Sequence, residues 1–228
     1  AGFMGSPQMN FVDGTLLNDD SRILPPVKEA IDRINFEKYI PIILVSARPP
    51  QSIEFLQEEL DIMRPMVSMG GGLVVQEDDV LGSISLTAQA ARHALAIASR
   101  FDVQPCLYTG WKWHVQRHTP MSDFEGRIIR DRALESDFDR LLDECENQGT
   151  ELHKLMCMGE SDDVDRLQQV LLADNPFGLD ISISFEKYLE IGPPGVDKAS
   201  AIEMVCGLYG YDMSQVVAIG DNMNDLPM

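Results

Sequence analysis

The sequence predicts an α/β fold: a doubly wound parallel-sheet core with an α+β domain inserted into it. Three observations predict it. Ile40–Val45 (IPIILV) and Val216–Ile219 (VVAI) are unbroken apolar runs, the pattern of strands buried on both faces. Strands and helices alternate in a βαβα order at the start of the chain, which calls for a parallel sheet flanked by helices. Near Leu81 the order changes to paired strands and helices, and Val216–Ile219 then returns to the first pattern. The core is therefore read as discontinuous, 1–82 and 190–228, around an inserted domain at 83–189.

Each element has a local reason. The opening AGFMGSPQ reads as an appended stretch rather than as part of the fold, and Met9–Val12 as a short strand. Pro25–Lys38 starts with prolines and places Val27, Ala30, Ile31 and Ile34 on one helical face. Pro50–Leu60 is a second helix. Met66–Ser68 and Leu73–Gln76 are short strands broken by Gly70, Gly71 and Gly72. Ile84–Leu86 is strand-like, and Thr87–Arg100 is an alanine-rich helix. Pro105–Arg117 (PCLYTGWKWHVQR) reads as a hairpin about Thr109 and Gly110. Ser136–Gln148 is a helix capped by Ser136. Leu152–Met158 is a strand, Ser161–Ala173 a helix, and Ile181–Ile191 one or two strands. Asp197–Tyr209 is the helix that leads into Val216–Ile219.

Composition narrows the function. The chain has 228 residues, 44% of them hydrophobic, and a formal net charge of -19. Such a surface repels phosphate backbones, which argues against nucleic acid as a partner. Glu135–Asp165 alone holds eleven acids against Arg140 and Lys154, the pattern of a solvated helical face. No apolar run approaches the roughly 20 residues of a membrane span, and no signal peptide is evident. Cys106, Cys145, Cys157 and Cys206 match no zinc spacing and fit a reducing, cytoplasmic setting. His114 and His118 lie in a strand-like stretch, where four residues separate them by roughly 13 Å, too far to share a metal. Trp111, Trp113 and Tyr108 read as packing within the inserted domain rather than as a ligand platform. Nothing in the sequence selects an oligomeric state.

Four features sit at strand ends or helix starts, where open α/β sheets place ligands. They are Asp13-Gly14-Thr15, Ser46 and Arg48 after IPIILV, Lys198 at a helix start, and Gly220–Asp225 (GDNMND) after VVAI. Singly, the first three have ordinary readings as a turn, a helix cap and a surface lysine. Several acids and amides directly after a buried strand are costly without a ligand. Together a hydroxyl, a lysine and carboxylates at one sheet edge suit a phosphate with a divalent metal.

These pieces, DGTLLNDD, PIILVSARP, GGGLVV, YLEIGPPGVDKASAI and VVAIGDNMNDLPM, resemble the haloacid dehalogenase superfamily, specifically its Cof-type sugar-phosphate phosphatases. The resemblance spans nearly the whole chain and implies that the insertion is the family's cap. It implies Mg²⁺-dependent hydrolysis of a small phosphorylated metabolite through an aspartyl-phosphate. By matching position, Asp13 is the general acid and base and Lys198 the catalytic lysine. Ser46, Arg48, Gly70, Lys198 and Asn224 are phosphate or substrate residues. Asp13, Asp221 and Asp225 form the metal set, with Asp225 and Asn224 in the supporting shell. A cap that closes over the site would choose the substrate.

Three departures stand out. The nucleophile's position holds Phe11, whose phenyl ring can neither attack phosphorus nor bind metal. Either a substitution or a loss of two residues from FVDxDGTLL produces FVDGTLL. A two-residue loss keeps the strand's alternation. Gly70 stands where relatives often carry asparagine, and relatives continue past GDNxND with another strand and helix. Two alternatives stay open. One is a catalytically silent phosphosugar-binding or regulatory protein. The other is a related capped enzyme, such as a mannosyl-glycerate or sucrose-phosphate phosphatase or a phosphohexomutase.

Overall fold

A computed structural model describes residues 8–11, 15–18, 22–185, 187–221 and 225–228, with only the backbone of 8–11 and 185. Asp13, Gly14, Asn224 and Val12 lie outside the described residues. The chain divides into two compact units, 1–82 with 197–228, and 83–196.

The first unit is built on a six-stranded sheet. Its strands are β1 (Gln8–Phe11), β2 (Ile42–Val45), β3 (Met66–Ser68), β4 (Leu73–Gln76), β5 (Asp79–Ser83) and, far along the chain, β12 (Val217–Ile219). The order is β12-β1-β2-β3-β4-β5. Pairings from β12 through β3 are parallel, as the apolar runs predict, but β4 returns antiparallel to β3. The short turn at 69–72 explains that reversal, because parallel strands need a crossover of a dozen or more residues. β2 is buried along its length, with Ile42, Leu44 and Val45 at 0% exposure. Each such side chain contributes about 1.5–3 kcal/mol relative to an exposed one.

Helix α1 (Pro25–Asp32) continues as a π-helical turn over Arg33–Glu37, and α2 (Gln51–Leu60) buries Ile53, Leu56 and Leu60. Helix α7 (Lys198–Tyr209) starts at Asp197, whose side chain accepts the Ser200 N–H, and ends at Gly210 in the left-handed region. Ile43, Val45, Val67 and Val74 pack with Ala201, Ile202 and Val205 of α7. β12 departs from expectation. It is apolar but lies at the sheet's edge, and all three of its residues are exposed.

The second unit holds a six-stranded sheet of its own. Its strands are β6 (Val103–Thr109), β7 (Lys112–Val115), β8 (Leu134–Glu135), β9 (Lys154–Gly159), β10 (Asp180–Phe185) and β11 (Tyr188–Gly192), ordered β10-β11-β9-β6-β7-β8. β6 and β7 form the hairpin read from the sequence. Leu107, Leu155, Leu189 and Ile191 face one side, packed against residues of α3 (Ala88–Ala98), α5 (Phe138–Asn147) and α6 (Ser161–Ala173). Tyr108 and Trp113 are buried against each other, rings stacked at 6.0 Å. Because β11 pairs with β9, residues 190–196 belong to this unit, and the chain re-enters the first at Asp197 rather than at 190.

Three local expectations are corrected. Ile84–Leu86 forms only an isolated bridge, Leu86 to Leu152. The cap of α5 is Asp137, whose carboxylate accepts the N–H groups of Asp139 and Arg140, while the Ser136 hydroxyl meets His114 Nδ1 at 2.8 Å. Helix α4 (Pro120–Ile128), capped by Thr119, stands where no element was expected. It ends in a fold-back in which Arg130 takes a left-handed φ of 54° and the Asp131 N–H donates to the Gly126 carbonyl. No described helix is long and apolar enough to cross a membrane.

Candidate active site

The described sequence-predicted residues of the first unit, Ser46, Arg48, Gly70, Lys198, Asp221 and Asp225, form one connected set. β2 ends at Val45, and Ser46 follows, buried, with its N–H on the Val67 carbonyl at 2.8 Å. Its hydroxyl accepts the Arg48 N–H at 3.1 Å. This places the Ser46 hydroxyl and the buried Arg48 side chain at the carboxyl end of the central strand. Phe11, the last residue of β1, pairs with Val45, one residue before Ser46.

The turn after β3 binds this end to α7. The Gly70 N–H donates to the Ser46 carbonyl and the Met69 N–H to the Arg48 carbonyl, both at 3.0 Å. Met69, Gly70 and Gly71 all have positive φ. At Gly70 the conformation is left-handed (φ 69°, ψ 15°), which glycine and asparagine tolerate best. This gives a backbone reason for either residue at that position. Gly71 is more constrained. A Cβ there would sit 2.3 Å from the Asp197 carbonyl oxygen, so only glycine lets the turn lie against the start of α7.

Lys198 is the first residue of α7. Its buried ammonium meets Asp225 Oδ1 at 2.5 Å, and the Asp225 Oδ2 accepts the Asp221 N–H at 3.1 Å. Asp225 thus touches both the lysine and the backbone of Asp221. Gly220 supports this contact, since a Cβ there would lie 2.7 Å from the Asp225 carboxylate. Asp221 is exposed, and its Oδ1 accepts the Thr15 hydroxyl at 3.0 Å. Thr15 closes the Asp13-Gly14-Thr15 stretch, which by itself assigns its hydroxyl no partner. Its position two residues after Asp13 was the available signal.

Asp225 was expected among the metal ligands. In this structure its Oδ1 meets the Lys198 ammonium and its Oδ2 accepts the Asp221 N–H. Among the described residues no group of three or more His, Cys, Asp or Glu side chains could hold a metal ion. Asp221 presents an exposed carboxylate two residues after β12, at the carboxyl end of a parallel strand. That donor chemistry fits a hard divalent cation, which is commonly held through one or two carboxylates with water completing its shell. The histidines lie elsewhere: His114 is buried between Thr109 Oγ1 and Ser136 Oγ, each at 2.8 Å.

A parallel α/β sheet with a hydroxyl, a buried lysine and carboxylates at its carboxyl edge defines a phosphate-handling enzyme class. The haloacid dehalogenase-like hydrolase family matches residues 12–228. The chain belongs to this family, within its Cof-type phosphatases, and so to the phosphoric monoester hydrolases. It is 27% identical over 257 residues to the 5-amino-6-(5-phospho-D-ribitylamino)uracil phosphatase YwtE of Bacillus subtilis, covering 95% of this chain and 82% of that protein. It is 25% identical to the HMP-PP phosphatase of Serratia proteamaculans, covering 95% and 77%. The crystal structure of a haloacid dehalogenase-like hydrolase from Bacteroides thetaiotaomicron is similar in fold, with a TM-score of 0.86 at 22% identity over 98% of this chain and 84% of that one.

Proposed function

We propose that this chain binds a small phosphorylated metabolite, in particular a sugar phosphate, at Ser46, Arg48 and Lys198, with Mg²⁺ held through Asp221. Asp13 serves as acid and base, and turnover is slow because Phe11 stands at the nucleophile's position. The observation that supports this reading best is the Lys198–Asp225 pair. A buried ammonium held beside the end of a parallel sheet is suited to neutralise phosphate oxygens. Ser46 and the turn at 69–71 bring a hydroxyl and the start of α7 to the same edge. Bound Mg²⁺ would draw charge from the phosphate oxygens. Thr15 holds one Asp221 oxygen and orients that carboxylate.

A second reading follows from Phe11: a silent protein that keeps phosphosugar binding without hydrolysis. The test is Mg²⁺-dependent p-nitrophenyl phosphate hydrolysis by the chain and by a variant with Leu-Asp inserted after Asp13. We expect the unmodified chain to be slower by about a thousandfold or more, as loss of a nucleophile commonly entails. Equal rates would remove Phe11 from the argument. Sugar-phosphate binding without rescue by the insertion would favour the silent protein.

A further inference from the structure

We propose that the inserted unit binds a small zwitterion, an α-amino acid with an apolar side chain, in a cavity at the start of β6. The cavity holds ≈ 620 Å³, and its walls include Asp102, Gln104, Arg117, Met121, Met158 and Glu160. That volume lies within the usual range of about 300–1,000 Å³ for small-molecule sites, which combine apolar walls with a few polar groups that fix orientation.

The backbone sets these walls. Val103 of β6 pairs with Gly159 at the end of β9, and Gln104 pairs with Met158. A Cβ at Gly159 would lie 2.7 Å from Val103 Cγ1 and 3.1 Å from the Asp102 carbonyl oxygen, so glycine lets the two chains close there. β7 flanks β6 on its other side, and the residues that follow it are tied back to β6. Gln104 Nε2 donates to the Arg117 carbonyl at 3.0 Å, and the Thr119 hydroxyl donates to Gln104 Oε1. Thr119 in turn caps α4. The Gln104 amide is thus turned to the chain and holds the Arg117 backbone beside β6. Arg117 is positioned before any ligand arrives, which lowers the ordering cost of binding.

The charges left unmatched on the walls are one of each sign. Glu160 is matched, since both of its oxygens lie 2.8 Å from Lys187 Nζ. Among the described residues neither the Asp102 carboxylate nor the Arg117 guanidinium has a hydrogen-bond or ion-pair partner, and the two do not pair with each other. A ligand of a single sign would be repelled by one of them. A ligand with both signs satisfies each, its carboxylate on the guanidinium fork and its ammonium on Asp102. Being neutral overall, it is also not opposed by the chain's net charge of -19, as a simple anion would be. The remaining wall is apolar. Met158 is 0% exposed and Met121 is half-buried. Methionine adapts to apolar groups of different shape, which suits an aliphatic or aromatic side chain better than a hydroxylated one.

Calorimetric titration of the full chain with L-leucine, L-methionine and L-phenylalanine, at neutral pH and low ionic strength, tests the site. At least one is expected to bind, with its affinity falling about tenfold or more in Arg117→Gln and in Asp102→Asn, since each change removes a charged hydrogen bond. Both changes fall on exposed residues without partners, and an unchanged thermal midpoint shows that the variants are folded. Isocaproate, which lacks the amine of leucine, and isoamylamine, which lacks its carboxylate, separate the two charges. Each is expected to bind about tenfold or more weakly than the amino acid. No binding by any of the three amino acids, binding unchanged in both variants, or isoamylamine binding as tightly as leucine would each overturn the proposal.

Discussion

At the scale of single residues, the Lys198–Asp225 contact concentrates the most consequence. Both side chains are 7% exposed, so the two charges meet in a buried setting. Removing one partner of a buried pair costs about 3–5 kcal/mol, because the remaining charge is stranded. Lys198→Met is therefore expected to destabilise the chain more than the double change Lys198→Met/Asp225→Asn. Urea unfolding of the two variants beside the parent checks this order. The sequence marks Asp225 through the polar run GDNMND after an apolar stretch, while Lys198 alone reads as an ordinary lysine at a helix start. It could not reveal that Asp225 serves the lysine, because that depends on Asp225 lying against Gly220 and Asp221. Thr15 was missed for the same reason, its partner Asp221 being 206 positions away.

At the scale of elements, apolar runs and turn residues made most strands and helices legible. Errors fell where a side chain had two plausible local partners or where packing set the order. Ser136 is a good cap by type, but its hydroxyl goes to His114 and Asp137 caps α5 instead. Asp137→Ala should then cost about 1 kcal/mol, with most of it restored in Asp137→Ser. Ser136→Ala should leave the helix cap intact. Circular dichroism during chemical denaturation distinguishes the two. The antiparallel turn into β4 and the helix α4 were hidden because neither has a long apolar stripe. β12 was misjudged in burial because apolar composition alone cannot tell a central strand from an edge.

At the scale of the whole molecule, the two units have different sensitivities. His153 is buried in the inserted unit, accepting the Gly110 N–H at Nδ1, while its Nε2 lies 3.0 Å from the Ser83 hydroxyl. With Nδ1 accepting, the neutral ring carries its proton on Nε2. Burial holds its pKa below the usual value, only partly offset by Glu151. A depressed pKa contributes stability that is complete above the unfolded value of about 6.5 and is lost as pH falls through the folded value. Both tryptophans, Trp111 and Trp113, lie in this unit, so their fluorescence follows it. We expect the fluorescence-monitored thermal midpoint to fall between pH 7 and pH 5, and His153→Gln to flatten that slope. The division into units has a further consequence, for synthesis on the ribosome. The inserted unit is one contiguous stretch and can fold as it emerges. The first unit cannot: β1 lacks its neighbour β12, and the sheet lacks α7, until the whole insertion has been translated. At ordinary elongation rates that interval is on the order of ten seconds. During it the apolar strand Ile42–Val45 has no α7 beside its sheet, so the nascent chain, rather than the finished protein, is where this sequence most needs a chaperone.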